Sequence, residues 1–333
     1  MRWTSRLTVR QAEGDRFLFR RRAPAVIDPS FGDPRLAAIR AAALEGAGRW
    51  PLIRGHLSAA TGDAEDLTFL VAGLHTVAGV ERWIGEVAAA EPGDPLPLLV
   101  SGARHVGWAR HARPPLSGGQ VSQERQEVFR ARLEIAEEQL LAAAEAAPHW
   151  ATPWYFLQVS GRGLGAGAEI AERRFEAVRS RSPFDAAGHR ERLRQLLPEW
   201  GGTHEEARDF ARRSTLAAPA GSPLGELVAT ACLEGWRERG ADPDSVFMTR
   251  PEVLRDLHEA ADRSVRHQDF VRRRDWTLSF NTFAMAFVLS GDHASARRMY
   301  SVLGRQATEF PWQYLDDRSP LVPFLEWRAR VSH

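Results

Sequence analysis

Small and apolar residues recur at fixed intervals across the middle of the chain. A small residue is followed four positions on by an apolar one, seven positions on by a third of small or medium size, and twelve positions on by a proline. The pattern occurs three times: Ala136, Leu140, Ala143, Pro148; Ala171, Phe175, Val178, Pro183; and Ala207, Ala211, Ser214, Pro219. Positions i, i+4 and i+7 share one helix face, and a proline fits the first turn of the next helix. The prolines lie 35 and 36 residues apart, which is typical of a repeat of two antiparallel helices.

The same periodicity predicts helices along most of the chain and no strand strong enough to build a sheet. The predicted class is all-α, a right-handed α-solenoid of about seven antiparallel helix pairs. We expect an irregular N-terminal arm at 1–32, one helical-repeat domain at 33–306 with insertions near 112–121 and 240–250, and a C-terminal cap at 307–333. Prolines and aromatic residues dominate that last segment, so it is expected to cover the open face of the last repeat.

The repeat region resembles a known pattern, that of the tetratricopeptide repeat. Matching positions are Ala284, Phe287, Gly291, Ala296 and Tyr300, and Gly202 falls at the turn glycine of an earlier repeat. Leu303 and Thr308 depart from the final alanine and proline of that pattern. The resemblance covers roughly 136–304 and identifies a divergent member. It implies a concave groove lined by the first helix of each pair, where the family uses arginine and asparagine side chains to grip peptide carboxylates.

Composition excludes several kinds of chemistry. The 333 residues carry a net charge of +1, and all 44 basic residues are arginine. Without lysine there is no Walker lysine, no Schiff base and no Ser–Lys dyad. The single cysteine, Cys232, forms no internal disulfide, which favours a cytoplasmic location. Balanced charge argues against nucleic acid, and no run of 18 apolar residues predicts a membrane span.

Two local motifs are close to functional signatures. His204 begins a sequence near the H-E-x-x-H zinc motif, but Arg208 replaces the second histidine, and Thr203 with Glu206 makes a capping box. We therefore predict no metal site there. The glycine-rich stretch 161–167 resembles a dinucleotide fingerprint, but it falls where the repeat needs a turn, so no cofactor is predicted. Arg162, beside the free N–H groups of the next helix, could hold an anion.

The remaining candidates are polar residues on predicted first helices. His189, Arg192 and Asn281 are expected to face one concave groove, and Arg104, His105 and Trp108 form a second group. We predict a non-catalytic scaffold that binds a peptide or protein segment, acidic in character, in this groove. The alternative is a small-molecule-binding protein or enzyme that uses His105, His189 and His204 near neutral pH. A deep pocket holding two of these histidines would favour the alternative, and a long open groove would favour the scaffold.

Overall fold

The structure is a computed structural model, and it describes residues 24–112 and 123–332. Within these two ranges the chain is all-α, which confirms the predicted class. It has fifteen α-helices: α1 Pro34–Glu45, α2 Trp50–Ala60, α3 Ala64–Leu74, α4 Ile84–Ala90, α5 Pro95–Ala112, α6 Gln123–Ala146, α7 Thr152–Leu164, α8 Ala168–Arg179, α9 Ala186–Gln195, α10 His204–Ala217, α11 Glu226–Glu238, α12 Pro251–Arg263, α13 Trp276–Leu289, α14 His293–Leu303 and α15 Leu321–Val331. Consecutive helices pack against each other along much of the chain. No helix in the described ranges has the length and apolarity needed to cross a bilayer.

Local sequence explains where many of these helices begin and end. Aspartate side chains at the N-caps of α1, α3, α9 and α14 accept main-chain N–H groups of the first turn. Thr203 does the same for Glu206 at 3.1 Å. This is the first half of the predicted capping box; the Glu206 carboxylate accepts the Thr203 hydroxyl at 3.0 Å and not its main-chain N–H. Gly291, after α13, has a φ of +78°, a left-handed conformation that glycine adopts without strain. In the other predicted turn the left-handed residue is Gly201, not Gly202.

The repeated small and apolar positions face the interior. Ala136, Leu140, Ala143, Val178 and Ala211 have no exposed surface. The core consists of two apolar clusters. The first contains buried residues between 36 and 159. The second contains buried residues between 175 and 331, together with Ala25. In the second cluster, Trp312 and Phe324 pack on Tyr300, so the C-terminal segment contributes to the core.

Shorter elements lie between the long helices. Residues 80–90 form a short 3-10 turn, Val80–Arg82, followed by α4. The insertion at 240–250 contains no helix, whereas nearly all of the one near 112–121 lies outside the described residues, as do residues 1–23 of the arm. Two short strands, β1 Val26–Ile27 and β2 Gln306–Ala307, pair in parallel. The sequence pattern missed them because two residues carry no periodicity.

Long-range contacts connect the early helices to the late ones. Arg274, just before α13, donates to Asp63 at 2.8 Å, to Glu65 at 3.1 Å and to Asp66 at 2.8 Å, all at the start of α3. The β1–β2 pair makes a second connection between these parts of the chain. Together the two connections bring residues near both ends of the described chain to the same place. Residues of both connections, Ile27, Glu65 and Arg274, line one cavity between the helices.

Candidate functional site

The largest concentration of charged groups lies around a central cavity of about 630 Å³. Six helices contribute to its wall: α1, α3, α5, α7, α9 and α13. All six carry odd numbers in chain order, and α11 is the odd-numbered helix between them that does not line the cavity. Its ionisable lining residues are Asp28, Arg40, Glu65, Arg110, Tyr155, Asp185, Arg190, Arg194, Arg274, Asp275 and Glu309. A volume of this size suits a small-molecule ligand.

One group of lining residues is rich in hydrogen-bond donors. Arg110 is exposed to the cavity space and, within the described residues, has no hydrogen-bond or ion-pair partner. Arg194 makes only a long contact of 3.5 Å to Glu191, and its side chain is 43% exposed. The hydroxyl of Tyr155 is under the influence of both guanidinium groups. Burial is the main cause that raises the pKa of Tyr155, so its hydroxyl remains a donor at neutral pH. These three side chains can receive an anionic group.

A second group of lining residues is acidic. Asp185 is 1% exposed, and its Oδ1 accepts the Gly188 N–H at 2.6 Å while Oδ2 has no partner among the described residues. Burial raises the pKa of Asp185 to about 6, against its ordinary 3.8. Burial likewise raises the pKa of Glu65 to about 7, opposed by Arg274. Asp185 and Asp275 add to this increase at Glu65, so the three carboxyls form one electrostatic group. It can accept a hydrogen-bond donor or a cation.

Arg190 anchors the wall between these two groups. Its guanidinium pairs with Glu226 and with Asp275. Glu226, which is 2% exposed, also accepts the hydroxyl of Ser279 on α13. Both carboxylates raise the pKa of Arg190 against the opposing effect of burial. Arg190 therefore holds α9 against Glu226 and the start of α13, and we assign it to the support of the cavity wall.

The predicted group on α5 does not face this cavity. Arg104 is 1% exposed, and it donates to Glu81 at 2.7 Å and to the His75 carbonyl at 2.8 Å. His105 lies against the ring of Trp108, whose other contact is the guanidinium of Arg132 at 3.9 Å. Burial lowers the pKa of His105. Arg104 is therefore a partner in a buried ion pair, and these three residues line no part of the central cavity.

The prediction that His189, Arg192 and Asn281 line one surface is wrong. His189 is 4% exposed, with its ring between Phe175 and Phe210. Its Nδ1 lies 2.7 Å from the carbonyl oxygen of Asp185, the N-cap residue of α9. Burial lowers the pKa of His189. Asn281 has no exposed surface and accepts the Trp312 indole N–H at 2.8 Å. A polar side chain on a helix need not be exposed: His189 and Asn281 find their hydrogen-bond partners inside the protein.

The other candidates lie elsewhere. Arg162 and Arg192 line a separate, smaller cavity between α7, α8 and α9. The Nε2 of His204 lies 2.7 Å from the Oε2 of Glu238. In the described part of the chain no group of three His, Cys, Asp or Glu residues is placed to hold a metal ion. Of the eight predicted residues, the structure therefore brings together only Arg162 with Arg192, and separately Arg104, His105 and Trp108.

Sequence analysis missed Arg110, Tyr155, Asp185 and Arg194. One signal was present for α9. Arg190 and Arg194 are four residues apart, so they share a helix face, and both line the central cavity. His189 lies about 100° around the helix from Arg190, and Arg192 lies about 200° from both arginines, on the opposite face. Successive residues of a helix point about 100° apart, so an error of one position exchanges a cavity residue for a core residue.

The raised pKa of Asp185 predicts a pH-dependent cost to stability. Between pH 3.8 and about 6 the folded protein holds a proton that the unfolded chain releases, so stability falls as pH rises through this window. Replacing Asp185 by asparagine keeps the cap acceptor and removes the charge. We expect Asp185→Asn to raise the free energy of unfolding by about 1–3 kcal/mol above pH 7. Below pH 4 it should have little effect.

Urea unfolding at pH 4 and pH 7.5 measures this difference. Asp209→Asn, at an exposed position on α10, is the matched control and should leave the pH profile of the wild type unchanged. Equal stabilities of Asp185→Asn and wild type at both pH values would contradict the cost assigned to the buried carboxylate.

No protein-family model, no curated protein and no solved structure matches this chain.

Proposed function

We propose that this chain is a binding protein whose ligand occupies the central cavity. The observation that carries the proposal is the guanidinium of Arg110, which faces the cavity near Arg194 and Tyr155 and has no ion-pair partner within the described residues. The surrounding protein lowers the pKa of Arg110, and Glu191 opposes this only from a distance. An anionic ligand group would supply the missing charge.

The proposed ligand carries two kinds of group. Its anionic end contacts Arg110 and Arg194, and its other end offers a hydrogen-bond donor or a cation to Asp185 and Glu65. The arginines and the carboxyls occupy different parts of the cavity wall. This arrangement favours a compact polar molecule that carries both an anionic group and a hydrogen-bond donor or cation. The cavity volume of about 630 Å³ favours a small molecule or the end of a peptide over a long segment. The peptide scaffold proposed from sequence is retained in this narrower form.

As to architecture, we infer a tetratricopeptide-like helical repeat whose array is closed on itself. The support is the 35-residue spacing, the burial of the repeated positions and the left-handed glycine at Gly291. In such an array the first helices of successive pairs line the concave side. The odd-numbered helices around the central cavity hold this position in our interpretation.

A second candidate function is acid–base catalysis in the same cavity. It rests on one observation, which is that two neighbouring carboxyls, Glu65 and Asp185, have pKa values of about 7 and about 6. Groups that titrate near neutrality are suited to proton transfer. Turnover of a bound molecule that stops in Glu65→Gln, with binding retained, would favour catalysis over binding alone.

Native mass spectrometry of the purified protein tests the binding proposal. We expect the wild type to retain a small molecule. Because one charge-assisted hydrogen bond contributes about 1.5–3 kcal/mol, Arg110→Gln should weaken retention by roughly 10–100-fold. Its melting temperature should change little, since Arg110 makes no contact that supports the fold.

Arg213→Gln, at an exposed position on α10, is the control and should retain the molecule as the wild type does. Equal occupancy in Arg110→Gln and wild type would overturn the assignment of this residue. A retained polypeptide chain would favour the scaffold proposal instead.

A further inference from the structure

A second, smaller cavity lies among the C-terminal half of α7, the start of α8 and the end of α9. Its volume is about 220 Å³, and it shares no lining residue with the central cavity. Its polar lining consists of Gln158, Gln195, three arginines, one glutamate and a glycine-rich turn.

The two glutamines leave hydrogen-bonding capacity unused. Gln158 has no exposed surface, and within the described chain neither its Nε2 nor its Oε1 has a partner. Gln195 is 8% exposed; its Nε2 donates to the Gln158 carbonyl at 3.1 Å, while its Oε1 has no partner there. Buried polar groups in proteins are normally paired. One donor and two acceptors in the wall of a cavity are what a polar ligand would complete.

The start of α8 adds main-chain donors. Its N-cap is Gly167, which has no side chain to cap the helix. Gly165 and Gly167 have φ values of +68° and +85°. The N–H groups of Ala168 and Glu169, in the first turn, have no helix carbonyl within reach. Free N–H groups at a helix N-terminus attract oxyanions.

Three arginines supply further donors. Arg162 uses its Nε and Nη2 on Glu191, and Arg192 uses its Nη2 on Glu172. Arg174 binds Glu137 and a carbonyl through its two Nη atoms. The remaining N–H groups of all three have no partner in the described ranges. The three partner carboxylates lie outside the lining of the cavity, whose one carboxylate is Glu206, held by the Thr203 hydroxyl at 3.0 Å.

We propose that this cavity binds a hydrogen-phosphate group. The unprotonated oxygens accept the N–H groups of α8 and of the arginines. The P–OH donates to the Oε1 of Gln158, which an oxyanion without a proton cannot do. The site is independent of the central cavity, so the failure of either proposal leaves the other standing.

Calorimetric titration with inorganic phosphate and with sulfate, at pH 7 and constant ionic strength, tests the proposal. Sulfate has the same shape but carries no proton at this pH. A site that hydrogen-bonds the P–OH should therefore bind phosphate at least about tenfold more tightly than sulfate. No binding of phosphate, or equal affinity for the two anions, would overturn the proposal.

Gln158→Leu should abolish the preference for phosphate. The matched control is Gln139→Leu, which removes a glutamine whose Oε1 is also unpartnered but which lies outside the cavity. A preference unchanged in Gln158→Leu would contradict the role given to this side chain. If that variant fails to fold, the comparison of the two anions on the wild type decides.

A third titration, with methyl phosphate and inorganic phosphate at pH 5, identifies the source of the group. At this pH, below the second pKa of a phosphate monoester at about 6, methyl phosphate keeps one P–OH. Tighter binding of methyl phosphate than of inorganic phosphate indicates a phosphorylated organic molecule, and weaker binding indicates the free ion. Either result supports the site, whereas binding of neither phosphate form refutes it.

Discussion

Replacing Arg190 with methionine is expected to lower the free energy of unfolding by about 3–5 kcal/mol. The change removes the only cation that pairs with Glu226 in the described residues and leaves Asp275 without its partner. Glu226 is buried at 2% exposure, so it cannot recover its lost interaction from water. Methionine retains the length and apolar contacts of the stem, so the loss reports the charge network. Urea denaturation followed by circular dichroism measures it.

Arg179→Met is the matched control for Arg190→Met. Arg179 lies on α8 and pairs with Glu176, and both side chains are more than half exposed. Exposed ion pairs contribute little, so we expect a loss below about 1 kcal/mol. Equal losses in the two variants would show that the network around Arg190 does not stabilise the fold beyond an ordinary surface pair.

Asn281→Leu is expected to lower the free energy of unfolding by about 2–5 kcal/mol. The amide of Asn281 joins three partners: it donates to the Thr277 and Gln306 carbonyls and accepts from Trp312. Leucine fills similar space but leaves the buried indole N–H without an acceptor, and each such group costs about 1–3 kcal/mol. Thermal and urea unfolding both measure the loss.

Thr282→Val, on the same helix, is the control for Asn281→Leu. Its hydroxyl bonds only to the Leu278 carbonyl at 2.8 Å within α13, so its loss should be much smaller. A stable Asn281→Leu protein would mean that the asparagine is not the link between α13 and the C-terminal segment, and would reopen its assignment to a binding surface.

The local parts of this fold could be predicted from sequence. Periodic apolar positions place the helices, and the caps at Asp33 and Thr203 locate their starts. The contacts that connect the early helices to the late ones could not be predicted from periodicity and caps. Val26 opposite Gln306, and Arg274 beside Asp63, are pairs of residues far apart in sequence. Neither pair has a pattern of its own, because each depends on how the helices pack in three dimensions.

The candidate site was harder to predict than the helices. Its residues come from six helices, and each helix contributes only one or a few residues to the cavity. On α9 the sequence pointed to the correct helix and the wrong face. On α13 a polar residue, Asn281, was taken for a ligand contact although its partners are main-chain carbonyls and an indole. Side-chain type does not distinguish a polar group that serves the fold from one that serves a ligand.

The pairing of β1 with β2 also has a consequence for the order in which the protein matures during its synthesis. The first apolar cluster uses only residues between 36 and 159, so it can form while the ribosome is still adding the second half. Val26 can pair with its partner strand only after Gln306 has left the exit tunnel. The ion pairs at the start of α3 can form only after Arg274 has been synthesised. The central cavity is therefore completed last. A chain interrupted before β2 would have a folded first half and no enclosed site.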